Sequence, residues 1–208
     1  MFVLTIIFFA FLTSILSATA LIGLFWGFKF LIFIKSGIEH IIPKGFDHII
    51  FILGLFFSFI HFRSLLFQVT VFTIAHSITL ILAGFGLIQI QASIVEPLIA
   101  LSIVWIAIEN CVFKEPTKWR YLVVFSFGLL HGLGFAGALS DIGIANDQML
   151  LSLLFFNIGI ELAQIALIPI PLILIYVASK INFENYLQIT ASLCIGGMGF
   201  YWFIDRVI

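Results

Sequence analysis

The sequence predicts an all-α integral membrane protein, built as a bundle of about seven transmembrane helices. Three observations predict this class: 63% of the 208 residues are apolar, only 9% are charged, and the mean hydropathy is +1.29. A soluble domain is about half apolar and roughly a quarter charged. The apolar residues extend over the whole chain, which favours a single membrane domain over a soluble domain with an anchor.

Charge and cysteine content exclude several classes of function. Nine Lys and Arg oppose ten Asp and Glu, for a net charge of −1, so the basic face that nucleic-acid binding needs is absent. A soluble enzyme and a disordered chain are excluded by the apolar content. The two cysteines, Cys111 and Cys194, form no CxxC pair and indicate neither a disulfide framework nor a thiolate metal site.

The single domain divides into three parts when apolar runs are compared with the roughly 20 residues that a bilayer helix needs. Residues 1–34 predict an N-terminal helix. They lack the basic start and small-residue cleavage site of a signal peptide, so we expect the helix to be retained; its cleavage would leave six helices. Residues 35–46 carry charge, Gly and Pro and predict an interfacial or re-entrant segment. Residues 47–208 predict a six-helix core.

The core spans are separated by polar or Gly-containing turns. The first is short and follows a Gly-containing break, the fifth contains Pro169 and Pro171, and the sixth is rich in glycine. The predicted spans are 47–62, 65–88, 94–113, 120–139, 148–178 and 186–204. Between the third and fourth spans, Lys114, Lys118 and Arg120 are interpreted as an ordinary solvated loop.

A few ionisable side chains lie inside these spans. Placing such a group in hydrocarbon costs several kcal/mol by most estimates, so it usually faces a partner or a cavity. His76, His131 and Glu161 each lie about 11 to 13 residues into a span, roughly 16–20 Å from its start and near the midplane. Asp47 and His48 begin the short span after a break, which is a common way to place ligands at depth.

Other polar residues are expected to support this set. Asn157, Glu161 and Gln164 share one helix face by their i, i+4, i+7 spacing. Gly128 and Gly132 permit close backbone approach beside His131.

Further polar positions lie nearer the membrane surfaces. Glu96, Glu109 and Asn110 lie near the two ends of the third core span and are included as supporting residues. His40 and His61 are placed near the interfaces, in contact with solvent or headgroups.

These residue types permit a narrow chemistry. Imidazole binds nickel, cobalt, zinc or Cu(II), and carboxylates complete such sites. The candidate metal ligands are therefore His48, His76, His131, Asp47 and Glu161, with nickel, cobalt or zinc as the ion. Two metal-free alternatives stay open: hydrogen bonds that only join helices, and a proton relay.

Two functions of different classes fit the residues nearly equally. One is a divalent-metal permease without its own nucleotide motif, since GxxxxGK[ST] is absent from the sequence. The other is a membrane-embedded zinc hydrolase acting on a lipid or a membrane-anchored substrate, with Asp47 or Glu161 as base and Ser77 at an oxyanion. An accessory subunit or an oligomer stays open as a third interpretation.

Five motifs resemble the HupE/UreJ family, and its second, broadly distributed branch most closely. They occur in order over about residues 37–205: GFDHIIFILGL, FTIAHSITLILA, VEPLIALSIVWIAIEN, FGLLHGLGFAGAL and FNIGIELAQ. The family's HPxxGxDH element corresponds at its end to Gly45, Asp47 and His48. Its opening His-Pro is absent, and His40 and Pro43 lie nearby in a different arrangement.

The resemblance implies a small polytopic protein associated with nickel uptake, in a bacterial inner membrane. The family's second His-Gly element falls on His131 and Gly132. The functional candidates that it implies are Asp47, His48, His76, His131 and Glu161. The lipid bilayer and the transported metal ion are then the expected partners, and the permease is the leading hypothesis.

Overall fold

The computed structural model describes residues 27, 30–57, 62–113, 117–134 and 148–208. Within these ranges the chain is helical and contains no β-strand, which confirms the predicted all-α class. Most of the predicted N-terminal helix, residues 1–34, lies outside the described residues.

The described helices overlap the predicted spans, although the first core helix ends at Phe56 rather than at residue 62. A helix described from residue 30 to residue 41 is called α1. It is followed by α2 (Phe46–Phe56), α3 (Phe62–Gly84), α4 (Ala92–Val112), α5 (Arg120–Gly134), α6 (Met149–Leu167), α7 (Pro169–Ser179) and α8 (Glu184–Val207). Among the described residues, four helical stretches are long and apolar enough to cross a membrane: α3, α4, the combined Met149–Ser179 and α8.

The segment 35–46 contains the last turns of α1, a turn at residues 42–44 and the first residue of α2. Pro43 lies in this turn, where it cannot donate the backbone hydrogen bond that would continue α1. The chain therefore breaks immediately before Asp47 and His48.

Helix α2 is the centre of the bundle. It packs against α3, α4, α6, α7 and α8, and its side chains Phe51 and Leu55 are completely buried. With 11 residues it is about 16 Å long, half the thickness of a bilayer core. Because it packs against five other helices, α2 places His48 of its first turn inside the protein.

The outer surface of the bundle is apolar. Trp105, Ile108 and Ile158 each leave about half of their surface exposed, on helices whose opposite faces are buried. Water would penalise this arrangement, whereas lipid tails solvate it. The fold is therefore that of an integral membrane protein.

Helices α3 and α5 touch at two glycines one turn apart. A Cβ at Gly128 would lie 2.6 Å from the carbonyl oxygen of Phe72, and one at Gly132 would overlap the Thr79 hydroxyl and the His76 carbonyl. The Thr79 hydroxyl also donates across the contact to the carbonyl of Leu129. The predicted close approach at Gly128 and Gly132 is confirmed, and it fixes His131 against α3.

A buried ion pair joins α4 to α5 at the end of α5 that is far from His131. Arg120 is 1% exposed, and its Nη1 donates to Glu109 Oε2 at 2.7 Å. Thr117 donates to the other Glu109 oxygen, and Arg120 Nε donates to Gln68 of α3. The prediction that Arg120 belongs to a solvated loop is wrong, because Glu109 and Gln68 together satisfy its guanidinium inside the protein.

Asn110 extends this network to the central helix. Its Nδ2 donates to the carbonyl of Gly54 in α2 at 2.8 Å and to Ser192 of α8 at 3.3 Å, while its Oδ1 accepts from Arg120. Side chains and backbone of five described helices thus meet in one hydrogen-bonded network.

We expect Gly132→Ala to destabilise the protein by about 1–3 kcal/mol, because the added methyl group overlaps atoms of α3 that cannot move independently. Thermal unfolding in detergent would show a lowered midpoint. Gly197→Ala is the matched control, since nothing lies within 4 Å of a Cβ at that position. Equal midpoints for the two variants would contradict the close contact.

Glu109→Gln should cost about 3–5 kcal/mol, because it leaves the buried charge of Arg120 without its carboxylate. The control is Glu39→Gln, which removes exposed ion pairs with Lys35 and Lys44 at 3.6 and 3.8 Å and should cost less than about 1 kcal/mol. Denaturation of both variants under identical conditions tests this ordering, and a larger loss for Glu39→Gln would refute it.

Candidate metal centre

Four histidines from four helices meet beside the first turn of α2. They are His40 of α1, His48 of α2, His76 of α3 and His131 of α5, and we call them the histidine cluster. The ring centroid of His48 lies 4.9 Å from that of His40, 5.7 Å from that of His76 and 4.6 Å from that of His131. His48 is therefore the centre of the cluster.

His40 reaches the cluster because α1 approaches α6 closely. A Cβ at Gly37 would overlap the carbonyl oxygen of Phe156, and one at Gly159 would overlap that of Ile34. One turn after Gly37, the His40 ring packs against the Phe156 ring at 5.6 Å.

Asp47 orients His48. Its Oδ1 lies 3.0 Å from His48 Nδ1 and also accepts the backbone N–H of His48 at 2.8 Å. An ionised carboxylate only accepts hydrogen bonds, so it holds the proton of the imidazole on Nδ1. The lone pair then lies on Nε2, which is buried and has no hydrogen-bond partner among the described residues. This pairing of carboxylate and histidine is common behind metal ligands.

Ser102 of α4 favours the opposite tautomer in His131, with the proton on Nε2. The Ser102 hydroxyl donates to the carbonyl of Ile99 at 2.6 Å and lies 3.1 Å from His131 Nε2. Because its single hydrogen is already donated, the hydroxyl accepts from Nε2–H. The lone pair of His131 is then on Nδ1, which is buried without a partner in the described part of the chain.

His76 and Asn157 carry the remaining unsatisfied atoms. His76 is completely buried, and neither of its ring nitrogens bonds to another described residue. The Asn157 side chain of α6 lies within reach of the His76 ring. Its Nδ2 donates to the carbonyl of Leu153, and its Oδ1 makes no well-aligned hydrogen bond with a described residue. Buried polar atoms without partners are costly, so their concentration here makes this position a candidate binding site.

The spacing of the histidines suits a metal ion. One ring nitrogen from each of His40, His48 and His76 lies within 4.8 Å of the others. Two nitrogens bound to one ion at about 2.1 Å lie no more than about 4.2 Å apart. Small side-chain rotations would therefore bring the three nitrogens onto one ion, with His131 next to His48.

A cavity of about 520 Å³ leads to the cluster. His40, His48 and His131 form its inner wall, with Asp47 beside them. The charged residues of its outer part are Glu39, Lys44, Glu96 and Arg206. Six waters at roughly 30 Å³ each need about 200 Å³, so the cavity has room for a hydrated divalent ion.

The structure brings together four of the five predicted ligands: Asp47, His48, His76 and His131. Glu161 is placed elsewhere, in a groove between α3 and α6, where it accepts a hydrogen bond from Thr70 at 2.8 Å. Ser77 lines the same groove and donates to the carbonyl of Thr73.

The predicted supporting residues fall into separate groups. Asn157 lies beside His76, and Gln164 accepts from Thr73 at 2.9 Å between α3 and α6. Glu96 is exposed at the outer part of the cavity. Glu109 and Asn110 belong to the network around Arg120 at the opposite end.

Two residues of the site were missed by the sequence analysis. His40 was placed at an interface, yet it is one of the three histidines that could hold an ion. The signal was its position before Pro43 and the Asp47–His48 pair. Ser102 has no such signal, since a single serine in an apolar helix is ordinary.

Comparison with known proteins gives one family. A family model described as HupE / UreJ protein matches residues 16–206, nearly the whole chain. No curated protein and no solved structure gave a significant match.

Ser102→Ala should weaken the binding of a divalent ion by about tenfold, because the His131 tautomer loses its acceptor. Titration of the purified protein with Ni²⁺ measures this. Ser126→Ala is the matched control, since Ser126 also donates to a backbone carbonyl but lies on the exposed face of α5. Equal affinities for the two variants would contradict the role assigned to Ser102.

Proposed function

The chain belongs to the HupE/UreJ family, and on that premise we propose that it is a permease for a divalent transition-metal ion of the nickel and cobalt type. The observation that carries the proposal is a group of buried imidazole nitrogens: His48 Nε2, His131 Nδ1 and both ring nitrogens of His76 have no hydrogen-bond partner among the described residues. His48 and His131 also line a cavity. Hydrogen bonds that only join helices would have used these nitrogens, as they use the side chains of Glu109 and Gln68.

The donor set supports a borderline divalent ion. Imidazole suits nickel, cobalt and zinc, whereas Cu(I) prefers thiolate or thioether ligands. Both cysteines, Cys111 and Cys194, are exposed and lie outside the cavity. Asp47 supplies the negative charge beside His48, which strengthens the imidazole as a ligand.

The cavity gives the ion a route. We propose that the hydrated ion enters past Glu39 and Glu96, loses water as it passes Asp47, and binds to the histidine cluster. Four imidazoles without an ionised carboxylate as direct ligand form a site of moderate strength. Conduction requires such a site, because an ion held too tightly does not leave.

Release on the other side requires the opposite end of the bundle to open. The ion pair between Arg120 and Glu109 lies 11 residues before His131 along α5, or about 16 Å, and blocks the direct path. We propose that the structure is the state open at the Glu39 side. With no P-loop in the sequence, the movement depends on an ion gradient or a partner protein.

A zinc hydrolase is less well supported by this arrangement. Its proposed base Glu161 and oxyanion residue Ser77 line a different groove from the histidine cluster. Only Asp47 of the three suggested catalytic residues lies at the cluster, and it is already paired with His48. We therefore propose transport first, in the inner membrane of a bacterium, and keep hydrolysis as an outcome of the test.

We expect purified wild-type protein to retain little metal after mild chelation and to bind Ni²⁺ or Co²⁺ reversibly. His76→Ala and His131→Ala should each weaken binding about 10- to 100-fold, because each removes a buried imidazole of the cluster. Elemental analysis before and after chelation, followed by Ni²⁺ uptake into liposomes, measures both properties. Glu161→Gln is the comparison variant and should bind Ni²⁺ like the wild type.

The outcomes separate the alternatives. About one zinc per chain that resists chelation, and is lost in both histidine variants, would favour the hydrolase or a structural site. Unchanged uptake by the double variant His76→Ala/His131→Ala would overturn the permease. Loss of Ni²⁺ binding in Glu161→Gln would indicate that Glu161 is a metal ligand.

A further inference from the structure

Arg206 places a fixed positive charge in the wall of the cavity that leads to the histidine cluster. It lies in the last turn of α8, and its Nη2 is 3.7 Å from Asp47 Oδ2. Its Nη1 donates to the carbonyl of Glu96 at 3.0 Å, and its guanidinium packs against the Trp202 ring at 5.7 Å. These contacts hold the side chain in place at the site.

A cation beside a cation-binding site requires an explanation, since it repels the ion that the site attracts. Asp47 uses its two oxygens differently: Oδ1 bonds to His48 and Oδ2 faces Arg206. Both residues keep about a fifth of their side-chain surface exposed, 22% for Arg206 and 23% for Asp47. The pair is therefore open to the cavity and can be separated by an entering ion.

We propose that Arg206 is a tethered counter-ion that competes with the incoming divalent ion for Asp47, and thereby keeps the affinity of the cluster low enough for release. Without an ion, the guanidinium neutralises Asp47. When an ion binds to His48, the carboxylate stabilises the more positive imidazole–metal unit, and its interaction with Arg206 weakens. This inference rests on the proposed transport function and adds a positioning residue to it.

The position of Arg206 differs from that of the other cations near the cavity. Lys44 lies 3.8 Å from Glu39 and is largely exposed, so water screens its charge. Lys35 also pairs with Glu39. Arg206 alone among the basic residues that line this cavity is paired with the carboxylate that orients a histidine of the cluster.

The test is a Ni²⁺ titration of the full-length protein in detergent, with dissociation followed by an excess of chelator. We expect Arg206→Gln to bind Ni²⁺ about tenfold more tightly and to release it correspondingly more slowly. Arg206→Lys, which keeps the charge, should remain within about threefold of wild type. Asp205→Asn changes an exposed charge on the same turn and serves as the control.

A double-mutant cycle with Asp47→Asn tests whether Arg206 acts on Ni²⁺ binding through Asp47. The tightening caused by Arg206→Gln should largely disappear when Asp47 is already neutral. Unchanged or weaker binding in Arg206→Gln, or tightening that persists fully in the Asp47→Asn background, would overturn the inference. If the wild type binds Ni²⁺ but the variants give one of these contradicting results, only the role of Arg206 fails. If the wild type binds no Ni²⁺, the proposed function fails as well.

Discussion

Hydrocarbon offers no hydrogen-bond partners, so each polar group that the bundle buries must be satisfied by the protein or by what the protein binds. Most of the buried polar side chains follow this constraint inside the molecule. Arg120 is matched by Glu109 and Gln68, and the Thr79 hydroxyl donates to the carbonyl of Leu129. His48 Nε2, His131 Nδ1 and both ring nitrogens of His76 have no partner among the described residues, and the proposed function rests on these atoms.

The same constraint gives the two ends of the bundle different roles. At one end the network around Arg120 joins five helices. At the other end the break before α2 opens a cavity whose inner wall is the histidine cluster. The short helix α2 connects them: its first turn carries Asp47 and His48, and the carbonyl of Gly54 in its last turn accepts from Asn110.

Close helix contacts bring the histidine side chains together in a defined geometry. Gly132 permits α5 to touch α3, which places His131 near His76, and Gly37 permits α1 to touch α6, which places His40 near Phe156. Asp47 and Ser102 then fix opposite tautomers of two neighbouring imidazoles. A permease benefits from such a site, since oriented neutral imidazoles bind an ion without the full charge of direct carboxylate ligands.

The sequence by itself determined the membrane class and the approximate positions of the spans, and it predicted Asp47, His48, His76 and His131 as candidates, which the structure places close together. It could do so because apolar length and the cost of a buried ionisable group are properties of local sequence. Tertiary structure alone decided that His40 joins the cluster, that Arg120 is buried and that Glu161 lies in another groove. Depth along a helix can be counted from the sequence, whereas the direction in which a side chain points depends on how the helices are rotated and packed against one another.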